Sequence, residues 1–253
     1  MVYDVFEFFN ESELLEIRLN ELSNVVDQFI ICESTYTHSG VPKPLNFRLD
    51  RYPEFKGRIV YLVDRNPPNN GDSWANENHQ RAHIKTALDG VIGPGDYIIV
   101  SDLDEIPSGQ ATKEALTKLG DNIIIFKHRT YYYYVNYFAL EYVGSKVLTF
   151  EYFSRRFEEN PQKVRDYWAG PDILILNGGW HFGYLGGKER VEYKLNSFAH
   201  QEHKQKGEIP QILSNINEMI DLRGRSLTRV TVDNTYPTYL LKNLDKFQHF
   251  IGV

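Results

Sequence analysis

Apolar residues in the first part of the chain fall into short runs separated by amphipathic segments. Four runs predict strands, at residues 2–8, 25–32, 58–63 and 96–101. Apolar residues at helical spacing predict helices over residues 10–22, with Asn10 as the cap, and over residues 74–88. This strand–helix–strand order predicts an α/β fold with a mainly parallel sheet flanked by helices.

The second half of the chain has a less regular pattern. It contains a predicted strand, an aromatic stretch that continues the sheet, a glycine-rich segment and two predicted helices, at residues 122–127, 131–142, 178–187, 190–205 and 208–222. The sequence shows no internal repeat, low-complexity segment or linker. We therefore predict one domain over residues 1–253, with residues 1–108 more regular than residues 109–253.

An acidic segment, Ser101-Asp102-Leu103-Asp104-Glu105, follows the fourth predicted strand. Residues two apart in an extended segment point to the same side, so Asp102 and Asp104 can face one ion. Carboxylate oxygens suit Mg²⁺ or Mn²⁺, and such an ion neutralises a diphosphate leaving group. The segment therefore predicts a metal site, although phosphohydrolases also place paired aspartates after a strand.

Other polar residues fall at the carboxyl ends of predicted strands, where parallel sheets bind ligands. Asn10, Glu11 and Glu33 lie at two such ends, so we predict that they bind the cofactor or donor nucleotide together with Asp102. The simpler interpretation of Asn10 and Glu11 is that they only begin a helix, as a cap and a first-turn acid.

Two further segments carry candidate side chains. Asn78 and Arg81 lie on the predicted helix 74–88, and the Arg81 guanidinium is suited to a diphosphate oxygen. A solvated helix face explains both residues equally well. His181 lies among glycines that let the backbone approach a ligand, so it is a candidate metal ligand or phosphate contact. The alternative for His181 is a structural histidine.

Composition and charge exclude several classes of protein. The net charge is −6 and no basic stripe is present, which argues against a nucleic-acid partner. The single cysteine, Cys32, excludes an intrachain disulfide and a cysteine-rich zinc site. No signal-peptide pattern and no apolar run long enough to cross a bilayer is found, so we expect a cytoplasmic protein without a membrane segment.

Several motifs spread along the chain together resemble glycosyltransferase family 17. The resemblance lies in Tyr3-Asp4-Val5-Phe6, Phe8-Phe9-Asn10-Glu11, Asp102-Leu103-Asp104-Glu105-Ile106-Pro107, Gly179-Trp180-His181-Phe182 and Tyr236-Pro237-Thr238-Tyr239-Leu240-Leu241-Lys242-Asn243. It implies a GT-A fold of the Rossmann type, with residues 1–108 binding the nucleotide sugar and residues 109–253 on the acceptor side. It also implies an inverting mechanism, a UDP-sugar donor, with N-acetylglucosamine (GlcNAc) as the expected sugar, and a divalent cation, usually Mn²⁺.

The resemblance places Asp102 and Asp104 at the metal and diphosphate, and it supports a site role for His181. An inverting transfer needs a base that removes the proton of the acceptor hydroxyl. Glu105, Asp166, Asp172 and Glu141 are available, and we take Asp172 and Glu105 as the catalytic candidates. A metal-dependent phosphohydrolase or nucleotidyltransferase stays an alternative, as does a non-catalytic carbohydrate-binding protein built on aromatics such as Trp180 and Tyr131 to Tyr134.

Overall fold

The computed structural model describes residues 1–167 and 173–253. Its strands are β1 (Val2–Glu7), β2 (Gln28–Ser34), β3 (Ile59–Asp64), β4 (Tyr97–Val100), β5 (Glu105–Pro107), β6 (Ile123–Tyr132), β7 (Tyr137–Thr149), β8 (Ile173–Gly183) and β9 (Thr228–Arg229). Its α-helices are α1 (Ser12–Glu21), α2 (Ser73–His83), α3 (Lys85–Leu88), α4 (Gly109–Lys118), α5 (Phe150–Phe157), α6 (Pro161–Arg165), α7 (Gly187–Ser197), α8 (Glu202–Gln205), α9 (Ile209–Asn215) and α10 (Thr238–Lys242).

The strands form one mixed sheet in the order β3-β2-β1-β4-β7-β6-β8-β5, and β9 pairs with β7. Strands β3, β2, β1 and β4 run parallel. β7 is antiparallel to β4 and β6, β8 is parallel to β6, and β5 is antiparallel to β8. The α/β fold predicted from the sequence is confirmed, and its parallel part is the region that the first four runs predicted.

Helices cover both faces of the sheet because the central strands are apolar on both sides. On β1, Val2 and Phe6 face one hydrophobic cluster, which includes residues of α1 and α4. Tyr3 and Val5 face a second cluster, which includes residues of α3, α5 and α6. This alternation makes β1 a fully buried strand, and it fixes the position of the strand's carboxyl end beside that of β4.

Local differences from the predicted elements have identifiable causes. The aromatic stretch is interrupted by a turn between β6 and β7, and β7 continues to Thr149 beyond the predicted aromatic segment. Asn10 does not cap α1, because Glu11 occupies the N-cap position without a side-chain cap bond. The acidic segment is not extended: Leu103 and Asp104 form a turn between β4 and β5. No helix within the described ranges has the length and apolar character needed to cross a membrane.

Candidate active site

A buried arginine of α1 shapes the turn between β4 and β5. Arg18 has no exposed surface, and its Nε and Nη2 donate to the two carboxylate oxygens of Asp4 at 2.8 and 2.6 Å. The same guanidinium donates to the carbonyl oxygens of Asp102, Leu103 and Glu105 at 2.9, 3.2 and 2.9 Å and to Ser101 Oγ at 2.7 Å. Because the carbonyls of the turn point to Arg18, the acidic side chains of the turn are free to face away from Arg18.

The opposite side is a cavity of about 670 Å³ at the carboxyl ends of β1 and β4. Its polar lining includes Glu7, Glu11, Glu77, Arg81, Asp102, Asp104, Glu105, Arg165, His181 and Lys194. This is the edge of the sheet where the sequence predicts ligand binding. Six of the predicted site residues line this cavity: Glu11, Arg81, Asp102, Asp104, Glu105 and His181.

Asp102 is held by two arginines. Its Oδ1 accepts a hydrogen bond from Arg81 Nη2 at 2.7 Å, and its Oδ2 accepts one from Arg165 Nη2 at 3.2 Å. Burial alone would raise the pKa of Asp102, but the Arg165 and Arg81 guanidinium groups outweigh it and lower the pKa below the usual range of a carboxyl. Asp102 is therefore an ionised group whose two oxygens are both engaged within the protein.

Arg81 has a different environment from the one that its helix position predicts. Its side chain is only 4% exposed and contacts Glu7, Glu77 and Asp102, and it also donates to Gln162. A guanidinium with this many partners has no free fork for a diphosphate. Arg81 therefore orients carboxylates of the site with both of its terminal nitrogens engaged, and its role at a diphosphate stays a prediction.

Asp104 carries one engaged oxygen and one that faces a histidine. Lys194 Nζ donates to Oδ2 at 2.8 Å, and Lys194 also lies 3.3 Å from Glu11 Oε1. Oδ1 of Asp104 lies 3.7 Å from His181 Nε2. Burial would lower the pKa of Lys194, but Asp104 and Glu11 outweigh it and raise the pKa, so this residue is a fixed positive charge.

A close approach of two strands sets His181 opposite the acidic turn. β5 pairs with β8 so that Glu105 faces His181 and Pro107 faces Gly179. A Cβ on Gly179 would lie 2.2 Å from the carbonyl oxygen of Ile106, so only glycine permits this pairing. The glycine-rich segment recognised in the sequence therefore has a structural role, which is to bring His181 next to Glu105.

Glu105 lines the cavity beside these groups. Burial raises the pKa of its carboxyl, the charge of Asp102 adds to the rise, and His181, Arg165 and Lys146 oppose it. Glu105 Oε2 is 3.4 Å from the backbone nitrogen of Asp102. A carboxylate in this environment is a stronger base than an exposed one.

Three predicted donor-binding residues lie away from the cavity. Glu33 is completely buried and accepts hydrogen bonds from Lys43, from the backbone of Asn46 and Phe47, and from Tyr61. Its predicted role is corrected, because these bonds make it a structural carboxylate of β2. Asn78 is exposed on α2 and does not line the cavity. Asn10 is exposed and borders a second, smaller pocket.

The remaining predictions concern the base and the aromatic residues. Asp172 lies outside the described residues. Trp180, Tyr131 and Tyr133 are buried, and Trp180 Nε1 donates to the carbonyl oxygen of Thr235 at 2.9 Å. Their aromatic faces belong to the core, whereas Tyr132 lines the cavity.

Several residues of the site were missed in the sequence. Glu7 ends β1, but the predicted strand continued to residue 8, so the argument from strand ends did not select Glu7. Arg165 and Lys194 lie on helices of the irregular half, and no local pattern marks them. They reach the acidic turn only through the fold.

Glu7 has an unusual environment for a carboxyl group. One of its oxygens contacts Arg81, and the other, Oε1, is buried without a hydrogen-bond partner among the described residues. Burial raises the pKa of Glu7 to about 8 against the attraction of Arg81, and the charges of Glu77 and Asp102 add to the rise. The folded protein therefore binds a proton at Glu7 more tightly than the unfolded chain does.

This difference predicts how stability depends on pH. Between the usual carboxyl pKa of about 4.5 and the folded value of about 8, the folded state holds more protons, so stability falls as the pH rises through that window. The contribution of one proton is at most about 1.4 kcal/mol per pH unit. Urea unfolding of wild type and Glu7→Gln from pH 5 to pH 8 should show a smaller downward slope in the variant. Parallel pH profiles would contradict the assignment.

The residues at Asp104 fit a divalent cation only in part. Asp104 Oδ1 and His181 Nε2 are an oxygen and a nitrogen ligand facing each other at 3.7 Å, while both Asp102 oxygens are engaged by arginines. Within residues 1–167 and 173–253, no three His, Cys, Asp or Glu side chains are grouped so that they could hold a metal ion together. The three predicted metal residues are thus not one ligand cluster, and a cation at Asp104 and His181 would need oxygens from its substrate.

Comparison with known proteins found relatives of this chain. The human and rat proteins named β-1,4-mannosyl-glycoprotein 4-β-N-acetylglucosaminyltransferase are 25% and 26% identical to this chain, over 96% of it and 53% of each of them. The chain therefore spans about half the length of the curated relatives it matches. Among solved structures, S. aureus TarS aligns at a TM-score of 0.46 and 12% identity, over 86% of this chain and 71% of that one.

A sequence model described as glycosyltransferase family 17 matches residues 1–249. The match includes β1, the acidic turn after β4, His181 and Lys194, which are the parts of the chain that build the cavity. Because the match extends over nearly the whole sequence, this chain belongs to glycosyltransferase family 17.

Proposed function

We propose that this protein is an inverting, cation-dependent glycosyltransferase that moves a sugar, most simply GlcNAc, from a UDP-sugar to a glycan acceptor. The observation that carries the proposal is the cavity at the carboxyl ends of β1 and β4, where Asp104 and His181 face each other beside Glu105. The choice of GlcNAc rests on the name of the relatives, and UDP, the cation and inversion rest on the family resemblance.

Asp104 and His181 would hold the cation, Mn²⁺ or Mg²⁺. When bound, such an ion supplies positive charge that stabilises the diphosphate as it leaves. Lys194 keeps Asp104 in position by holding its second oxygen, and Arg81 and Arg165 do the same for Asp102. Asp102 and Glu11 are then proposed donor-side residues that act beside the cation.

Glu105 is the proposed general base. Its carboxylate would take the proton of the acceptor hydroxyl while the acceptor oxygen bonds to the anomeric carbon of the donor. The bond from that carbon to the diphosphate oxygen breaks, and the nucleoside diphosphate leaves with the bonding electrons. Attack from the side opposite the leaving group inverts the anomeric configuration. We place the donor mainly on residues 1–108 and the acceptor mainly on residues 109–253, since both parts line the cavity.

A thermal-shift panel tests this function. UDP-GlcNAc with Mn²⁺ is expected to stabilise the protein most, and ligand at about 100 times its dissociation constant adds roughly 2.7 kcal/mol. For a chain of this size, that corresponds to a rise in Tm of roughly 5–10 °C. GDP-mannose and CMP-sialic acid with Mn²⁺ are the matched controls and should give smaller shifts.

Two outcomes of the panel would contradict the proposal. A larger shift with GDP- or CMP-sugars would contradict the choice of a UDP-sugar as donor. A shift with UDP-GlcNAc that EDTA does not change would contradict the need for a cation. A phosphohydrolase or nucleotidyltransferase would release phosphate or pyrophosphate without a glycosyl acceptor, which an assay of the same samples detects. A carbohydrate-binding protein would show no stabilisation by UDP.

A further inference from the structure

A basic turn lies on the wall of the cavity formed by the second half of the chain. We use this name for residues Asp221 to Arg225, which are closed by a β-bridge between Ile220 and Ser226. The Asp221 carboxylate has no exposed surface and accepts hydrogen bonds from the backbone nitrogens of Arg223 and Arg225 at 2.8 and 2.9 Å and from Arg225 Nε at 2.6 Å. A buried carboxylate therefore fixes the shape of this turn.

The rest of the fold anchors the basic turn. The Asp221 backbone nitrogen donates to the carbonyl oxygen of Arg225 at 2.8 Å, and Tyr133 Oη, from a fully buried side chain after β6, donates to that of Ile220 at 3.2 Å. With both ends of the turn bonded in this way, its two arginines are displayed from a fixed backbone. Both arginines line the cavity.

The basic turn has a net charge of +1, because Asp221 forms an ion pair with one of its two arginines. Arg81 and Arg165 contact Asp102, and Lys194 contacts Asp104. By contrast, the part of the chain that the structure describes offers no carboxylate partner to the Arg223 side chain. Arg225 uses only its Nε on Asp221, which leaves the terminal nitrogens of its guanidinium unpaired among the described residues.

Tyr132 lines the same cavity as the basic turn and the acidic turn. Its ring centroid lies 6.3 Å from that of His181 and 6.2 Å from that of Tyr184. Burial raises the pKa of Tyr132, and the charges of Arg225, Asp221, Arg223 and Asp104 act on the same phenol. A sugar ring over Tyr132 would have one side towards Asp104 and His181 and the other towards the basic turn.

We infer that the acceptor glycan is anionic, and that Arg223 and Arg225 bind a carboxylate or phosphate on the sugar that lies over Tyr132. This inference rests on the proposed function, because it assigns the Asp104 side of the cavity to the donor diphosphate. Guanidinium groups form paired, charge-assisted hydrogen bonds with carboxylate and phosphate oxygens, which gives both affinity and orientation. A neutral acceptor would leave the exposed positive charge of the basic turn without a partner.

Pairs of probes that differ in one charged group test the inference. p-Nitrophenyl β-glucuronide and p-nitrophenyl β-glucoside differ at one carbon, and glucose 6-phosphate and glucose form the phosphate pair. Dissociation constants are measured by ligand-observed NMR on the full chain, with and without UDP and Mn²⁺. At least one charged probe is expected to bind about tenfold more tightly than its neutral partner, which equals about 1.4 kcal/mol.

Arg223→Gln is the informative variant, because this side chain makes no internal bond in the described structure whose loss would unfold the turn. It should bring the charged and neutral probes to within about twofold of each other, and Arg223→Gln/Arg225→Gln should abolish the preference. Lys113→Gln, an exposed change of equal charge on α4 away from the cavity, is the matched control and should keep it.

Two results would overturn the inference. One is equal binding of charged and neutral probes by wild type. The other is a UDP affinity that falls about tenfold in Arg223→Gln while probe binding is unchanged, because the basic turn would then serve the donor diphosphate. Failure of the proposed function is seen separately, as absence of UDP binding by wild type in the presence of Mn²⁺, and the comparison of probes stays readable in that case.

Discussion

Replacing Asp104 with asparagine is expected to lower kcat/KM for sugar transfer by about 100-fold or more. The variant keeps the size of the side chain but loses the negative charge that faces His181 at 3.7 Å and binds Lys194 at 2.8 Å. The loss should be accompanied by weaker UDP binding in Mn²⁺, since the donor diphosphate and the cation would be held together. Product formation and UDP affinity are the two measurements.

Glu105→Gln provides a contrast within the same turn. If Glu105 is the base, this variant binds UDP with Mn²⁺ as wild type does while kcat falls by roughly 100-fold or more. Asp121→Asn is the matched control for the loss of one carboxylate, because Asp121 is exposed, pairs with Arg155 and does not line the cavity. Full transfer activity in Asp104→Asn would refute the proposed cation site.

Replacing Arg18 with methionine is expected to lower the free energy of unfolding by about 3–5 kcal/mol. The substitution leaves the buried Asp4 carboxylate without its partner, and it removes the donors to the carbonyl oxygens of the acidic turn. Unpaired buried charges and carbonyls are the costly part of this change. Urea-induced unfolding followed by fluorescence and circular dichroism measures the difference.

Two further variants are controls for the Arg18→Met measurement. Arg48→Met removes an exposed arginine paired with Asp50 and should change stability by no more than about 0.5 kcal/mol. Arg18→Lys keeps the charge but not the fork of donors, so it should rank between wild type and Arg18→Met. A loss below about 1 kcal/mol in Arg18→Met would show that the turn does not depend on this residue.

Local sequence patterns predicted the parallel half of the sheet. Apolar runs and helical spacing located β1 to β4 and the helices α1 and α2 to within a few residues. The same patterns located Asp104 and Glu105 after a buried strand, and a position after a strand is a local property. The length of β7 was not predicted, because the missed part, residues 143–149, is mostly buried but has Gly144, Ser145 and Lys146 in place of an apolar run.

Residue type alone did not show which charged side chains are already paired within the protein. Glu33 and Asp102 are both acidic residues close to a strand end. The Glu33 carboxylate, however, accepts hydrogen bonds from four donors of the adjacent loop and strand. Arg81 was predicted to face a diphosphate, and its side chain contacts three carboxylates. Whether a charged side chain is free or paired depends on neighbours that no local pattern specifies.

The sequence by itself determined the family, the α/β class and the acidic turn, because apolar periodicity and short motifs are encoded within a few neighbouring residues. Only the tertiary structure decided what the turn can do. Arg18 lies 84 positions before the carbonyl of Asp102 that it binds, and Lys194 lies 90 positions after Asp104. Contacts between residues so far apart form through packing of the sheet and its helices, and they leave Asp104 Oδ1 facing His181 while both Asp102 oxygens are paired with arginines.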